Sequence, residues 1–432
     1  MILKKIILKL AEIKFFDSVI NLLIVAKDNF NNFFSSYENV LIIDDADSRM
    51  RYLEKESSKY GINFIWFPRT VTNVLFDKYI HVKKQKNFGE WNLETYYEPQ
   101  LILSRKKLVL RYTSLLKPLL YILKIRLIIL PKLNDDWIID FQKAAKNLGL
   151  KILVTDRESS ISPKRMEVYP PILKKYSDDL NQVDKLCLNN EMHYEFFIKS
   201  GIKKEKLIIT GSPQSDFWPN KLDKVEIKTD ISKKNILYLG FGVNAYLNFY
   251  FKEINNNWES LCRDVHSVIN DQLSKYHNKL NIYYKIGSKP ARDYWKGYAD
   301  FYENLKKNKI EDSLIEISGK VSTPSILNSF DAIISFQSSG LVEAMFENIP
   351  IISFGWGDLY KNIENSLHDF ENKGILFAKS KKELSSYIED IVQNKELEMD
   401  KSKFKETIYK YLYLCDGNSS KRILDEAKHL LE

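Results

Sequence analysis

The chain has little cysteine and no arrangement that would make cysteine structural. Cys187, Cys262 and Cys415 are three in number and far apart, which excludes a disulfide framework and fits a reducing compartment. No CxxC and no paired-histidine spacing occurs, so no metal site is expected. A Gly-x-Ser-x-Gly elbow is also missing, which removes the usual serine-hydrolase arrangement. The six histidines offer no strong base: His81, His266, His277, His368 and His429 lie in polar, helical or loop contexts without partners, and His193, in EMHYEFF, reads as a packed or exposed helical residue. No apolar run reaches the roughly 18–20 residues that cross a bilayer. The first thirty residues come nearest, but Lys4, Lys5, Lys9, Glu12, Lys14 and Asp17 interrupt them, and no small-residue cleavage site follows a signal-like core. The expectation is a cytoplasmic protein, at most peripheral at the inner face of the cytoplasmic membrane. No nucleic-acid-binding signature is present, so nucleic acid is not an expected partner.

What is there is material for two domains. At 432 residues, 44% of them apolar, the chain can bury two α/β cores of about 200 residues each and has no compositional case for disorder. The net charge of +8 is modest for this size and would suit an anionic donor, an anionic acceptor or a membrane surface.

Short apolar runs alternate with helical stretches through both halves. In the first half the runs are NVLIIDDAD (39–47), GINFIWFP (61–68), IRLIILPKLNDDW (125–137), KILVTDRESS (151–160), KLCLNN (185–190) and KLIITGSP (206–213). A second set follows: KNILYLGFG (234–242), KLNIYYKIG (279–287), SLIEISG (313–319), SFDAIISF (329–336), IPIISFG (349–355) and KGILFAKS (373–380). Strands alternating with helices predict a mainly parallel, doubly wound sheet in each half. The expected boundaries are 1–215 for the N-terminal domain, 216–233 for a polar linker, 234–415 for the C-terminal domain, and 416–432 for a closing helix that crosses back to the N-terminal domain.

The most informative stretch is DAIISFQSSGLVEAMFENIPIISFG (331–355), which reads strand, polar loop, helix, strand. Gln337, Ser338, Ser339 and Gly340 fall at the carboxyl end of a parallel strand, the edge where α/β folds hold ligands. With Ser339 as N-cap, free amides and two hydroxyls would converge at the positive end of the helix, an anion site. Glu343 then lies one residue past the capping-box position, where its carboxylate could accept two ribose hydroxyls. An ordinary capped helix with a solvated glutamate fits the same letters.

This pattern resembles the donor-binding segment of GT-B glycosyltransferases, most of all those of capsule and surface-polysaccharide synthesis. The resemblance implies that the serine pair grips the donor phosphate and that Glu343 grips the ribose. DKLCLNNEMHYEFFIKSGIKKEKLIITGSPQSD (184–216) is similar to the end of the GT-B N-terminal domain, with Gly201, Lys206, Gly211, Pro213 and Asp216 in matching places. CDGNSSKRILDEAKHLLE (415–432) looks like the closing Asp-Gly and terminal helix. The likeness covers about 180–432 by motif and 1–150 by architecture.

It implies a GT-B fold, two Rossmann-like domains facing across a cleft. Gly240, Gly242 and Asn244 then lie in the loop beside the donor phosphate, although a tight strand-to-helix turn explains those glycines equally well. KIGSKPARDYW (285–295) occupies the place of a phosphate-binding turn but lacks its histidine, which leaves Lys285 or Lys289 for the phosphate; a charged surface turn is the plainer alternative. The base of an inverting transfer belongs to the N-terminal domain. Glu158 is the first candidate and Asp156 the second, with Arg157 placed to hold an acidic acceptor. Asp44, Asp45, Asp135 and Asp136 occupy similar strand ends, and each of these acids could instead cap a helix.

The function implied is transfer of a sugar from a nucleotide-sugar donor, a CMP-linked acidic sugar first and a UDP-sugar second, to a growing surface glycan or lipid-linked glycan. The nucleotide-sugar is a co-substrate; no cofactor and no metal are expected. A UDP-sugar 2-epimerase of GT-B shape, a CDP-polyol phosphotransferase and a non-catalytic GT-B scaffold are the alternatives. Residues 101–130 carry Arg105, Lys106, Lys107, Arg111, Lys117, Lys124 and Arg126 and no acid. They read either as a segment for an anionic membrane surface or as a core helix whose cations snorkel outward.

Overall fold

The computed structural model describes residues 37–44, 48–80, 96–133, 136–156, 160–220, 225–240, 258–285, 296–318, 321–357 and 369–432. The chain divides into two compact units, Met1–Ser159 with Met166–Asp216 and Leu412–Glu432, and Ser160–Arg165 with Phe217–Tyr411. Each contains one six-stranded sheet.

The first sheet is built from β1 (Glu38–Asp44), β2 (Ile62–Pro68), β3 (Leu127–Leu130), β4 (Lys151–Thr155), β5 (Lys185–Leu188) and β6 (Leu207–Ile209), in the order β2-β1-β3-β4-β5-β6. The second comprises β7 (Lys234–Leu239), β8 (Leu280–Lys285), β9 (Leu314–Ile317), β10 (Ala332–Ser335), β11 (Ile351–Phe354) and β12 (Leu376–Ala378), in the order β12-β11-β10-β7-β8-β9. Every pairing within them is parallel. Each strand coincides with an apolar run read from the sequence. The reason is burial on both faces: β3, β10 and β11 are buried at every position, as parallel sheets covered by helices require.

The connecting helices, in chain order, are α1 (Ser48–Ser57), α2 (Arg69–Ile80), α3 (Ile102–Leu123), α4 (Asp136–Asn147), α5 (Pro163–Lys174), α6 (Glu191–Lys199), α7 (Trp258–Tyr276), α8 (Lys296–Lys307), α9 (Ser339–Ala344), α10 (Lys381–Val392), α11 (Phe404–Leu412) and α12 (Ser419–Leu431).

The C-terminal helix α12 packs on the first sheet. Ile423, Leu424, Ala427 and Leu431 share a core with Val40, Ile42, Leu127, Ile129 and Leu153. The stretch ending in Asp216 explains how it is held. The buried Asp216 carboxylate accepts the Ser419 and Ser420 amides, both at 2.7 Å, and so caps the helix. Gly211 stands in the left-handed region at φ +78, and a Cβ there would meet the Ser419 hydroxyl at 2.6 Å. Arg422 donates to the Thr210 carbonyl (2.8 Å) and grips Asp416 with two nitrogens (2.9 and 3.1 Å). Lys206 donates to the carbonyls of Asn181 and Val183. These residues close the first unit.

In the second unit, His266 on α7 is fully buried, stacked on Phe301 at 4.1 Å and 3.8 Å from the Cys262 sulfur. It is therefore not the partnerless polar-context residue the sequence suggested. Burial pushes its imidazole down to about 3.

Candidate functional site

In a doubly wound sheet the helices leave a crevice where the strand order reverses, and ligands sit at the carboxyl ends of the two strands that flank it. In the second sheet those strands are β7 and β10. Gly240 follows β7, Lys285 ends the neighbouring β8, and Gln337 to Gly340 follow β10. Gly240 and Lys285 are joined directly, the Gly240 amide donating to the Lys285 carbonyl at 3.0 Å. Gly242, Asn244 and Lys289 lie outside the described residues.

The turn after β10 is built under constraint. Gln337 is buried with φ +42, a left-handed conformation that is uncommon for a residue with a side chain. The N-cap of α9 is Ser338, not Ser339. Ser338 holds extended backbone angles and its hydroxyl accepts the Gly340 amide at 3.1 Å, while the Leu341 amide turns back to the Ser338 carbonyl at 3.0 Å. Two adjacent serines left the cap ambiguous by one residue, and the extended backbone at Ser338 decides it. The consequence is chemical. One hydroxyl and one amide expected to be free are used by the cap, and among the described residues the Ser339 hydroxyl has no hydrogen-bond partner. Ser339 is half-buried and remains the serine able to meet a ligand.

Glycine permits close approach at two places. A Cβ on Gly340 would stand 2.5 Å from Leu239, which ends β7, so this glycine lets α9 settle against the strand across the crevice. A Cβ on Gly240 would enter the ring of buried Tyr284 at 2.4 Å. Packing alone therefore accounts for Gly240.

Glu343 lies five residues beyond the true cap, out of capping-box reach, and is buried. The solvated-glutamate alternative is thereby removed. Its carboxylate acts on Lys285 across the crevice: burial lowers the lysine's pKa from its usual value, and Glu343 opposes that shift. A half-buried ammonium and a buried carboxylate thus act on each other at the carboxyl end of the sheet, the carboxylate one turn along α9 from Ser339.

The first sheet carries a different arrangement at its carboxyl edge. Asp156 follows β4 directly, its amide donating to the Cys187 carbonyl of β5 at 3.0 Å. The next loop leads through Asn190, which caps α6 by accepting the His193 amide at 3.0 Å. The cap turns His193 inward, and its Nδ1 lies 3.2 Å from a carboxylate oxygen of Asp156, both side chains being buried. His193 carries no functional signal in the sequence, because the carboxylate it meets follows a different strand and only the adjacency of β4 and β5 joins them. Both ring nitrogens of His193 are buried without a hydrogen bond among the described residues, so the 3.2 Å approach is a close contact of imidazole and carboxylate at the carboxyl ends of β4 and β5. Arg157 and Glu158 lie outside the described residues, as do Asp45 and Asp135. Asp44 is the last residue of β1, and Asp136 the first of α4.

No family model matches the chain. A 3-deoxy-D-manno-octulosonic acid transferase of Chlamydophila psittaci is 24% identical over 227 residues, covering 49% of this chain and 47% of that protein. The chain thus spans about half the length of the curated relative it matches. Among solved structures, the wall teichoic acid polymerase TagF aligns over 97% of this chain and 94% of its own, with 11% identity and a TM-score of 0.54. The UDP-GlcNAc 2-epimerase of Neisseria meningitidis, bound to UDP-GlcNAc, aligns over 91% of this chain and all of its own, with 12% identity and a TM-score of 0.51. These likenesses establish the fold: two Rossmann-like domains of the GT-B class.

Proposed function

We propose that the protein is a glycosyltransferase that moves a sugar from a nucleotide-sugar donor to a surface glycan or lipid-linked glycan. What supports this reading most is the gathering of Lys285, Ser339 and Glu343 around the order reversal of the second sheet, on the fold shared with nucleotide-sugar enzymes. Lys285, with Lys289, meets the phosphate charge that grows as the anomeric C–O bond breaks. The Ser339 hydroxyl and amide hold a phosphate oxygen, and Glu343 accepts from the ribose hydroxyls. Gly240, Gly242 and Asn244 are assigned to the same phosphate, and Gln337, Ser338 and Gly340 to the geometry of the turn. No metal or other cofactor is invoked, since the leaving group is neutralised by side chains.

The first unit supplies the base and holds the acceptor. As the acceptor oxygen bonds to the anomeric carbon, its proton passes to a carboxylate and the electron pair of the broken bond leaves with the phosphate. Asp156 is buried and in contact with His193, so the base is assigned to Glu158 first and to Asp156 second. Arg157 is assigned to an acidic acceptor. The partial match to a 3-deoxy-D-manno-octulosonic acid transferase favours an acidic sugar, and hence a CMP-linked donor ahead of a UDP-linked one.

The fold shared with UDP-GlcNAc 2-epimerases supports a second reading, epimerisation without an acceptor. Incubation with donor separates the two. Nucleotide released only when acceptor glycan is added supports transfer; an epimerised donor formed without acceptor overturns it.

A further inference from the structure

We propose that the outward face of α3, with the basic groove at its C-terminal end, docks on an anionic phospholipid surface. The helix is two-sided. Its inner face, Leu108, Tyr112, Leu115, Leu116, Leu119 and Leu123, is buried, and Tyr112 meets Phe141 of α4 edge-on at 5.3 Å. Two of its cations are also committed inward. Arg111 is buried, and Arg105 is paired with Asp140 at 3.3 Å and lies over the rings of Tyr96 and Tyr97 at 4.4 and 4.3 Å.

The outer face combines what the inner one does not need. Leu103, Leu110 and Tyr121 are 71, 69 and 77% exposed. Their spacings of about two and three helical turns place them on one stripe along a helix roughly 33 Å long. Lys106, Lys107 and Lys117 are exposed beside that stripe, and no acidic residue occurs between 101 and 130. At the stripe's end Lys117 and Tyr121 also line an open cavity of about 660 Å³, together with Arg126, Lys151 and His429. Arg126 is partly neutralised by Glu38 at 2.9 Å, Lys151 lies 3.9 Å from Asp184, and Glu432 borders the groove, so the available positive charge is mainly that of the lysines.

Leucines and a tyrosine ringed by lysines suit the boundary between headgroups and acyl chains. There the apolar side chains enter to a depth of roughly 5–10 Å while the ammonium groups stay at the phosphates. A second copy of the chain would set lysine against lysine. Nucleic acid would match the charge but give Leu103 and Leu110 nothing to bury against. Spanning is excluded for this helix, since its inner face is already packed and among the described residues no helix is long and apolar enough to cross a membrane.

The inference does not rest on the transferase reading. Co-sedimentation of the full chain with vesicles of phosphatidylcholine alone, or of phosphatidylcholine with phosphatidylglycerol, tests it, with nucleotide binding followed on the same samples. The expected result is binding to the phosphatidylglycerol vesicles only, weakened by salt. Replacing Lys106, Lys107 and Lys117 by glutamine should lower the partition about 100-fold, near fivefold for each lysine. Leu103→Ser with Leu110→Ser and Tyr121→Ser should abolish it without moving the melting temperature. Equal partition to both vesicles, no binding by wild type, or no response to either set of substitutions overturns the proposal. So does light scattering in which wild type is a dimer and the same substitutions make it a monomer. Retained nucleotide binding in a chain that ignores vesicles would remove the docking face and leave the transferase reading standing.

Discussion

The carboxyl edges of the two sheets carry opposite chemistry on the same strand geometry. In the second unit the groups stand at the point where strand order reverses: a half-buried cation, Lys285, a serine left over by the helix cap, Ser339, and a buried carboxylate, Glu343. In the first unit the assembled pair, Asp156 with His193, sits after β4, one strand beyond the reversal between β1 and β3. In the proposed reading the second unit's edge holds an anion and the first unit's edge takes the acceptor proton. A parallel sheet fixes where ligands meet the backbone, and the loop residues decide what those positions do.

The contrast breaks most visibly at Glu158. Glu158→Gln should lower kcat by about 10² to 10⁴ while nucleotide affinity, measured by calorimetry, stays at the wild-type value. If affinity falls and kcat does not, the first unit holds the donor and the assignment of the two edges is reversed. Ser339→Ala should reduce kcat/KM by about 10² with no loss of melting temperature, because its hydroxyl supports the ligand and not the helix. Unchanged transfer kinetics would remove Ser339 from the site.

Two further changes ask whether each unit is held as described. Asp216→Ala strips two charge-assisted bonds from the start of α12 and should cost the first unit about 2–4 kcal/mol in urea unfolding. Loss confined to the second unit's transition would contradict the capping role. His266 gives the second unit an acid sensitivity. Its folded imidazole binds a proton only near pH 3, whereas the unfolded one does so below about 6.5. The unfolded chain therefore holds the extra proton in that window, and stability falls as pH drops through it, by roughly 2 kcal/mol between pH 6.5 and 5. His266→Phe should flatten that slope and leave stability above pH 7 without pH dependence from this source. The smallest effect belongs to Ser338→Ala, about 1 kcal/mol from the lost cap, with turnover close to wild type. A serine pair whose two members respond alike would contradict the division of labour between them.

The twelve strands of the described residues were legible because each is a short apolar run, and β3, β10 and β11 are buried at every position, a signal carried by consecutive letters. The position of the turn after β10 was legible for the same reason, since a strand followed by Gln-Ser-Ser-Gly marks a strand end. What consecutive letters do not carry is adjacency across the sheet. His193 and Asp156 come together only through the β4–β5 pairing, and the opposition of Glu343 and Lys285 depends on β8, β7 and β10 lying side by side. Charge was legible along α3 but its distribution was not. The sequence offered lysines and arginines together, whereas burial takes Arg105 and Arg111 inside and leaves the lysines out. The matched residues Gly211 and Asp216 pointed correctly to a shared architecture, and their physical reason, the holding of α12, emerges only from contacts some two hundred residues apart in sequence.

Calorimetric titration of CMP and UDP into the wild-type chain and into the double variant Lys285→Gln/Glu343→Gln bears most directly on the second unit's edge. The double change removes both members of the Lys285–Glu343 pair together. Binding of one nucleotide by wild type and a loss of at least about tenfold in the variant, equal to 1.4 kcal/mol, is the predicted result. Equal affinity in both proteins, or no affinity in either, would contradict a nucleotide phosphate held between β7 and β10.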